Sequence, residues 1–145
     1  MVRKPNLMDE NDKIIIENLM KNARISKAAL ARKLNLTEAA IRKRLKKLES
    51  SGIIVGYKVV IDYQKIGYIS SLTGVDTVPE KLWKIIEKLK MFDEVKTIML
   101  TSGDHMIVAE IVADKIDKLE EVHKRIEDLD GVIRVCPAIL IKSIE

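Results

Sequence analysis

The chain has 145 residues, of which 47% are hydrophobic and 33% charged, and a formal net charge of +4 at pH 7. Its single cysteine, Cys136, excludes an intrachain disulfide and a cysteine cluster for a metal ion. The N-terminal segment is polar and the apolar runs are short, so we expect no signal peptide, no membrane partner and a cytoplasmic location. The composition predicts neither a metal site nor a cofactor.

The charge is distributed unevenly along the chain. Residues 1–60 carry 14 Lys and Arg against 6 Asp and Glu, whereas residues 61–145 carry 12 against 16. A basic segment can bind phosphate groups with a salt-sensitive affinity, and an acidic segment is repelled by them. The asymmetry favours two small domains, of which only the first binds nucleic acid.

Three short helices are predicted in residues 9–50. Asp9 or Asn11 can cap a first helix that extends to about Lys21, Ser26 can cap a second helix and Thr37 a third. A short polar side chain at each of these positions can accept hydrogen bonds from the free N–H groups of the first turn. The three helices form a compact unit in which the second and third are joined by a short turn.

The third predicted helix has one apolar face and is otherwise basic. Ile41, Leu45 and Leu48 recur at the spacing that places them on one side of a helix, so we expect them to be buried. Ala39 keeps the first turn slim enough to approach the edges of DNA bases. The residues that we expect to contact DNA are Thr37, Glu38, Ala39, Arg42, Lys43, Arg44, Lys46 and Lys47.

A basic helix face is often no more than a solvated surface, and that alternative applies to any single lysine-rich helix. Here the basic helix follows a capped helix and a short turn, which is the layout of a helix-turn-helix. The combination favours double-stranded DNA as the partner of a first domain over residues 1–52.

Residues 53–67 change from helical to strand-like spacing. The stretch 53–62 is rich in β-branched residues and is interrupted by Gly56, which predicts a β-hairpin that serves as a wing or a linker. We therefore place the domain boundaries so that this segment separates residues 1–52 from residues 68–145.

The order of elements predicted in residues 68–145 is βαββαβ. The strands are predicted at 69–77, 94–102, 105–113 and 132–143, and the helices at 79–91 and 115–129. This order is typical of a ferredoxin-like sheet with both helices on one face. The fold class is therefore α+β, an N-terminal winged helix-turn-helix plus a C-terminal ferredoxin-like domain.

Such a sheet leaves its second face uncovered. The uncovered face is predicted to be apolar, so we expect it to pack on a second copy of the chain in a homodimer. We expect Trp83 and Phe92 to pack a helix against the sheet, and Cys136 to be a small buried strand residue. His105 is expected to be an interface histidine, and His123 to lie on a charged helix face.

Several short motifs resemble those of the Lrp/AsnC family of transcriptional regulators. In the first domain these are the acidic opening of residues 9–15, Asn22-Ala23-Arg24, and the Leu-Glu to Gly-Ile-Ile exit of residues 48–54. In the second they are the Thr-Ser-Gly-Asp turn of residues 101–104 and the Gly-Val pair at 131–132. The resemblance extends over essentially the whole chain.

The resemblance implies a dimer that assembles into an octamer or a similar assembly, with a small molecule, usually an amino acid, bound where dimers meet. It places the effector beside the Gly103 turn, at Ser102, Gly103, Asp104, His105 and Met106. Glycine permits an unusual turn, nearby N–H groups can hold a carboxylate, and Asp104 can receive an amino group. The same residues can also form a simple hairpin turn. The family usually has an aromatic residue and a second Asp where this chain has His105 and Met106.

The sequence thus predicts a sequence-specific transcriptional regulator modulated by a small molecule, which we expect to be an amino acid. An architectural DNA-binding protein without an effector is the alternative. An enzyme is disfavoured, since the second domain offers two histidines, one cysteine and no catalytic motif.

Overall fold

The computed structural model describes residues 8–144, so residues 1–7 of the predicted first domain and residue 145 of the second lie outside the described residues. The chain divides into two compact units, and the division falls between Val59 and Val60. The segment 53–67, predicted as a separate linker, is thus shared between the two units.

The first unit contains three capped helices: α1 (Glu10–Lys21), α2 (Lys27–Leu34) and α3 (Glu38–Ser50). Asp9, Ser26 and Thr37 are the N-caps, and each side chain accepts a hydrogen bond from a backbone N–H in its own first turn. A polar side chain in this position satisfies a donor that the helix itself cannot pair. The predicted starts of all three helices are confirmed.

The core of the first unit lies between the three helices. Ile15 of α1 and Leu30 of α2 are fully buried against Ile41, Leu45 and Leu48 of α3. Each fully buried aliphatic side chain contributes about 1.5–3 kcal/mol relative to an exposed one. The predicted apolar stripe of α3 is therefore the surface that holds this helix in place.

The β-hairpin predicted in residues 53–67 is wrong. The chain is irregular from residue 53 to residue 62 and then forms a 3₁₀ turn, Tyr63–Ile66, which ends at Gly67 with a positive φ of 77°. Strand-forming side chains favour an extended backbone, but a hairpin also needs a second strand in register. Val55 and Val59 are exposed, so no burial of their side chains stabilises a hairpin here.

The second unit contains a four-stranded antiparallel sheet with two helices. The strands are β1 (Ile69–Thr77), β2 (Val95–Leu100), β3 (Ile107–Ala113) and β4 (Val132–Ile139). The helices are α4 (Leu82–Leu89), preceded by a 3₁₀ turn at Pro79–Lys81, and α5 (Ile116–Glu127). The strand order is β2-β3-β1-β4, which confirms the predicted ferredoxin-like arrangement.

Alternation along β1 separates the two faces of this sheet. Val75 is buried in the core with Ile107 and Ile111 of β3 and with apolar side chains of α4 and α5. Leu72 and Gly74 alternate with these positions and therefore lie on the opposite face. We call this opposite face the bare face, and its cross-strand neighbours are Met99, Val108, Glu110, Cys136 and Ala138.

Two predicted side-chain positions on the helices are wrong. Trp83 is 67% exposed, because the buried stripe of α4 is formed by Ile85, Ile86 and Leu89 on another side of the helix. His123 is buried with Leu119, Val122 and Ile126 in the stripe of α5 instead of lying on its charged face. Phe92 is half-buried and packs against the core, as predicted.

His123 forms a small buried polar network with β1. One of its ring nitrogens, Nε2, lies 2.7 Å from the Thr73 hydroxyl and 3.1 Å from the Ser71 hydroxyl. Burial lowers the pKa of His123 below its ordinary value of 6.5, because the charged imidazolium loses its hydration. The neutral ring is therefore the form that fits between α5 and β1.

This burial makes the stability of the second unit sensitive to acid. The pKa of His123 is lower in the folded than in the unfolded chain, so the unfolded state takes up the proton first as the pH falls. We expect the free energy of unfolding to decrease below about pH 6.5, with a slope of at most about 1.4 kcal/mol per pH unit. Urea unfolding between pH 7.5 and 5.5 should show a weaker dependence of the free energy of unfolding on pH for His123→Gln than for wild type. Equal slopes in wild type and His123→Gln would contradict this role.

Candidate DNA-binding helix and ligand-binding turn

The outer surface of α3 presents an exposed cluster of basic side chains. Arg42, Lys43, Lys46 and Lys47 are all exposed, while the opposite side of the helix is buried. Arg42 lies 3.7 Å from Glu38 one turn earlier, in an ion pair with both side chains more than half exposed. Such exposed pairs contribute little to stability, so Arg42 can leave Glu38 for another partner at low cost.

The start of α3 lies on the same exposed surface. The Thr37 hydroxyl accepts a hydrogen bond from the Ala40 N–H at 3.1 Å, and Glu38 and Ala39 are exposed. The structure thus brings together all of the predicted DNA-contacting residues except one.

Arg44 is that exception, and its predicted place on the DNA-binding surface does not agree with the structure. Its Nη1 atom donates to Asp9 at 2.6 Å and to Asp12 at 3.0 Å, and its side chain is only 26% exposed. The hydrogen bond from Arg44 lowers the pKa of Asp9, so this carboxylate stays ionised. Arg44 therefore links α3 to the two acidic residues at the start of α1.

Asp12 is fully buried at the centre of this ion-pair network. Its carboxylate also accepts a hydrogen bond from the Asp9 N–H at 3.1 Å, which caps the start of α1. The Lys47 ammonium lies 3.9 Å away. A buried carboxylate needs such partners, because an unpaired charge in the interior is strongly destabilising.

The turn between β2 and β3 is closed by two hydrogen bonds. The Thr101 N–H donates to the Met106 carbonyl at 3.0 Å, and the Thr101 hydroxyl donates to the His105 carbonyl at 2.6 Å. Gly103 has a φ of 117°, which other residues rarely adopt. Ser102, Gly103 and Asp104 are exposed at the tip.

The turn is anchored by a residue of another strand, which the sequence did not single out. Asp76 of β1 accepts hydrogen bonds from the Met106 N–H at 3.0 Å, from His105 Nδ1 at 3.1 Å and from Arg134 Nε at 2.8 Å. Burial alone would raise the pKa of Asp76, but these hydrogen bonds and the charge of Arg134 lower it to about 2. Asp76 is therefore an ionised anchor beneath the turn.

The residues predicted around the effector have unequal roles in the structure. His105 lies against Gly74, where any side chain on the glycine would overlap the imidazole ring. Met106 packs its side chain against the core of the second unit and offers only its N–H to Asp76. The exposed tip of the turn is thus formed by Ser102, Gly103 and Asp104, and the contact of Met106 with an effector stays a prediction. Asp104 is 87% exposed and free to contact a ligand.

The bare face and the turn adjoin one another. Asp76 and Arg134 are cross-strand partners, and Gly74 pairs with Val108 and Cys136 on the same side of the sheet. Leu72 and Met99 are each 43% exposed on this face. Cys136 is half-buried rather than fully buried. The polar cluster around Asp76 therefore lies at one end of an apolar surface.

In residues 8–144, no group of His, Cys, Asp and Glu side chains has an arrangement that could hold a metal ion. Among the described helices, none has the length and apolar character required to cross a membrane.

Two family models match the chain, one for each unit. Residues 8–55 match a winged helix-turn-helix DNA-binding model, and residues 70–145 match the Lrp/AsnC ligand-binding domain. The first match contains all three helices of the first unit, and the second contains the sheet and the turn.

Curated relatives match the chain over nearly its full length. The HTH-type transcriptional regulator LrpA of Pyrococcus horikoshii is 48% identical over 141 residues, covering 96% of this chain and all of the relative. LrpA of Pyrococcus abyssi is 46% identical with the same coverage. The solved structure of E. coli AsnC has a TM-score of 0.71 at 27% identity, covering 94% of this chain and 93% of that one.

These relatives are named as transcriptional regulators and not as enzymes. Their coverage includes both the capped, basic α3 and the domain that carries the turn. The chain therefore belongs to the Lrp/AsnC family of DNA-binding transcriptional regulators with a ligand-binding domain.

Proposed function

We propose that the chain is a sequence-specific regulator whose assembly and DNA affinity are modulated by an amino acid. DNA binding is supported above all by the exposed basic surface of α3, which the buried stripe of the same helix holds in place. The N-terminal turn, with Thr37, Glu38 and Ala39, approaches the base edges in the major groove. Arg42, Lys43 and Lys46 provide the charge, whereas Lys47 is partly engaged by Asp12.

The bare face supports a homodimer as the basic unit of this regulator. Leu72, Met99 and Val108 form an apolar surface that the two helices leave uncovered. Packing two such faces together removes apolar area from water and gives a two-fold assembly. Two recognition helices would then read half-sites about 34–36 Å apart, or a multiple of that distance.

The exposed turn supports an amino acid as the effector. Gly103 has the positive φ of an open turn, and the exposed Asp104 offers a carboxylate to an ammonium group. Backbone N–H groups in such a turn can hold a carboxylate. A ligand held where dimers meet favours an octamer or a similar assembly by its differential affinity. A coupling of about 1–3 kcal/mol to DNA affinity is the usual size of such effects.

The first test concerns α3. We expect Lys43→Ala to lower the slope of log affinity against log salt concentration by about 1, because one phosphate contact is lost. We expect Arg42→Ala to weaken DNA binding by about 1–3 kcal/mol and to relax its sequence specificity. Fluorescence anisotropy with DNA selected from a random pool, at several salt concentrations, measures both effects. Unchanged affinity after the triple replacement of Arg42, Lys43 and Lys46 by Ala would remove α3 from the interface.

Arg44→Ala is the matched comparison on the same helix. Because it leaves buried Asp12 short of a partner, we expect a loss of about 1–3 kcal/mol in the free energy of unfolding and no change in the salt dependence. Urea unfolding measures the first quantity. A reduced salt dependence with unchanged stability would instead place Arg44 on the DNA.

A second test concerns the bare face. We expect wild type to be at least dimeric at micromolar concentration, and Leu72→Arg to lower the mass because a charge is placed in the apolar interface. Met91→Arg is the control, since Met91 is exposed and lies outside this face. Light scattering that finds a stable wild-type monomer would refute the dimer.

A third test concerns the effector. In a thermal-shift screen of the twenty L-amino acids, we expect at least one to raise the melting temperature of wild type but not of Gly103→Arg, which fills the turn. Gly56→Arg is the control, because Gly56 has open space around it and no unusual φ. No shift in wild type would favour the effector-independent architectural protein. Equal shifts in wild type and Gly103→Arg would place the ligand elsewhere.

A further inference from the structure

One side chain beside the turn has both charge and unused hydrogen-bonding capacity. Arg134 of β4 donates from Nε to Asp76 at 2.8 Å and from Nη2 to the Asp104 carbonyl at 3.1 Å. A guanidinium has five N–H donors, and within residues 8–144 the Nη1 atom of Arg134 makes no hydrogen bond. The side chain is 49% exposed, so this free edge is open to solvent.

Asp76 holds the guanidinium in a fixed orientation. The Asp76 side chain is 15% exposed and has its pKa lowered to about 2 by its three partners, so it remains a full negative charge under Arg134. The bond to the Asp104 carbonyl adds a second attachment on the turn itself. A guanidinium with two fixed N–H groups loses little freedom when its remaining edge binds a ligand.

An exposed negative charge stands next to this positive one. The Asp104 carboxylate lies 3.8 Å from Arg134 Nη2, too far for a hydrogen bond, and it is 87% exposed. A zwitterionic α-amino acid carries a carboxylate and an ammonium group on one carbon atom. It can therefore place its carboxylate on Arg134 and its ammonium group on Asp104, with each charge meeting the opposite one.

We propose that Arg134 is the residue that receives the α-carboxylate of the effector, with Asp76 as its positioning residue. This inference rests on the proposed amino-acid binding at the turn and revises its geometry, since a guanidinium is a stronger carboxylate receptor than neutral N–H groups. It also gives a ligand at this turn a way to act on the assembly. Arg134 and Asp76 lie on the same side of the sheet as the bare face, so the carboxylate is bound at the edge of the proposed dimer surface.

The experiment changes the carboxylate of the ligand and the arginine of the protein separately and together. Each L-amino acid that binds wild type in calorimetry is compared with its α-amide, which keeps the ammonium group and lacks the carboxylate. The proteins are wild type, Arg134→Gln, Arg134→Lys and Arg125→Gln. Arg125 is the matched control, because it is an exposed arginine of the same unit that lies over the Phe92 ring at 4.6 Å, away from the turn.

We expect Arg134→Gln to lower the affinity for the amino acid by about tenfold or more and to leave the affinity for the amide unchanged. Arg134→Lys should retain part of the affinity, and Arg125→Gln all of it. Light scattering and thermal unfolding of each variant establish that it is folded. Arg134→Lys keeps the charge beside Asp76 and gives the same comparison if Arg134→Gln does not fold.

Three results would overturn the inference. An unchanged affinity for the amino acid in both Arg134 variants, or an equal loss for the acid and the amide, would refute the role of Arg134 while leaving amino-acid sensing intact. If none of the twenty amino acids binds wild type, amino-acid sensing fails and this inference fails with it.

Discussion

Burial of one face of each amphipathic element is the constraint on which both functional surfaces depend. Ile41, Leu45 and Leu48 occupy the core of the first unit, and the basic side chains on the opposite side of α3 are therefore exposed. In β1 the same division has a period of two, with Val75 in the core and Leu72 on the bare face. Hydrophobic packing thus determines where charge and exposed apolar surface are presented.

Features that depend on local sequence could be predicted well. The N-caps Asp9, Ser26 and Thr37 and the stripe of α3 follow from side-chain chemistry and helical spacing within a few residues. The βαββαβ order of elements could be predicted in the same way. It also implies the strand order in the sheet, because the connections between strands in this fold follow one pattern. His123 could also have been placed correctly, since it occurs at the buried spacing of Leu119, Val122 and Ile126.

Features that depend on distant partners could not be predicted. The apolar run in residues 53–62 has strand-forming side chains, yet no strand within residues 8–144 pairs with it. Arg44 was expected on the DNA-binding surface because a helical wheel shows its direction but not the carboxylates of α1 beside it. Asp76 was overlooked for the same reason. Its importance comes from Arg134, 58 positions further along the chain, and only the register of β1 with β4 brings the two together.

The contact between Gly74 and His105 has a consequence for the substitutions that this chain can accept. A side chain at position 74 would overlap the imidazole ring, whatever that side chain is. Position 74 is therefore restricted to glycine for as long as position 105 carries a ring seated on it. A descendant that replaced His105 by a small residue would release position 74 from this restriction, and the reverse order of changes would pass through a clash. The two positions should vary as a pair, and the ring must be lost first.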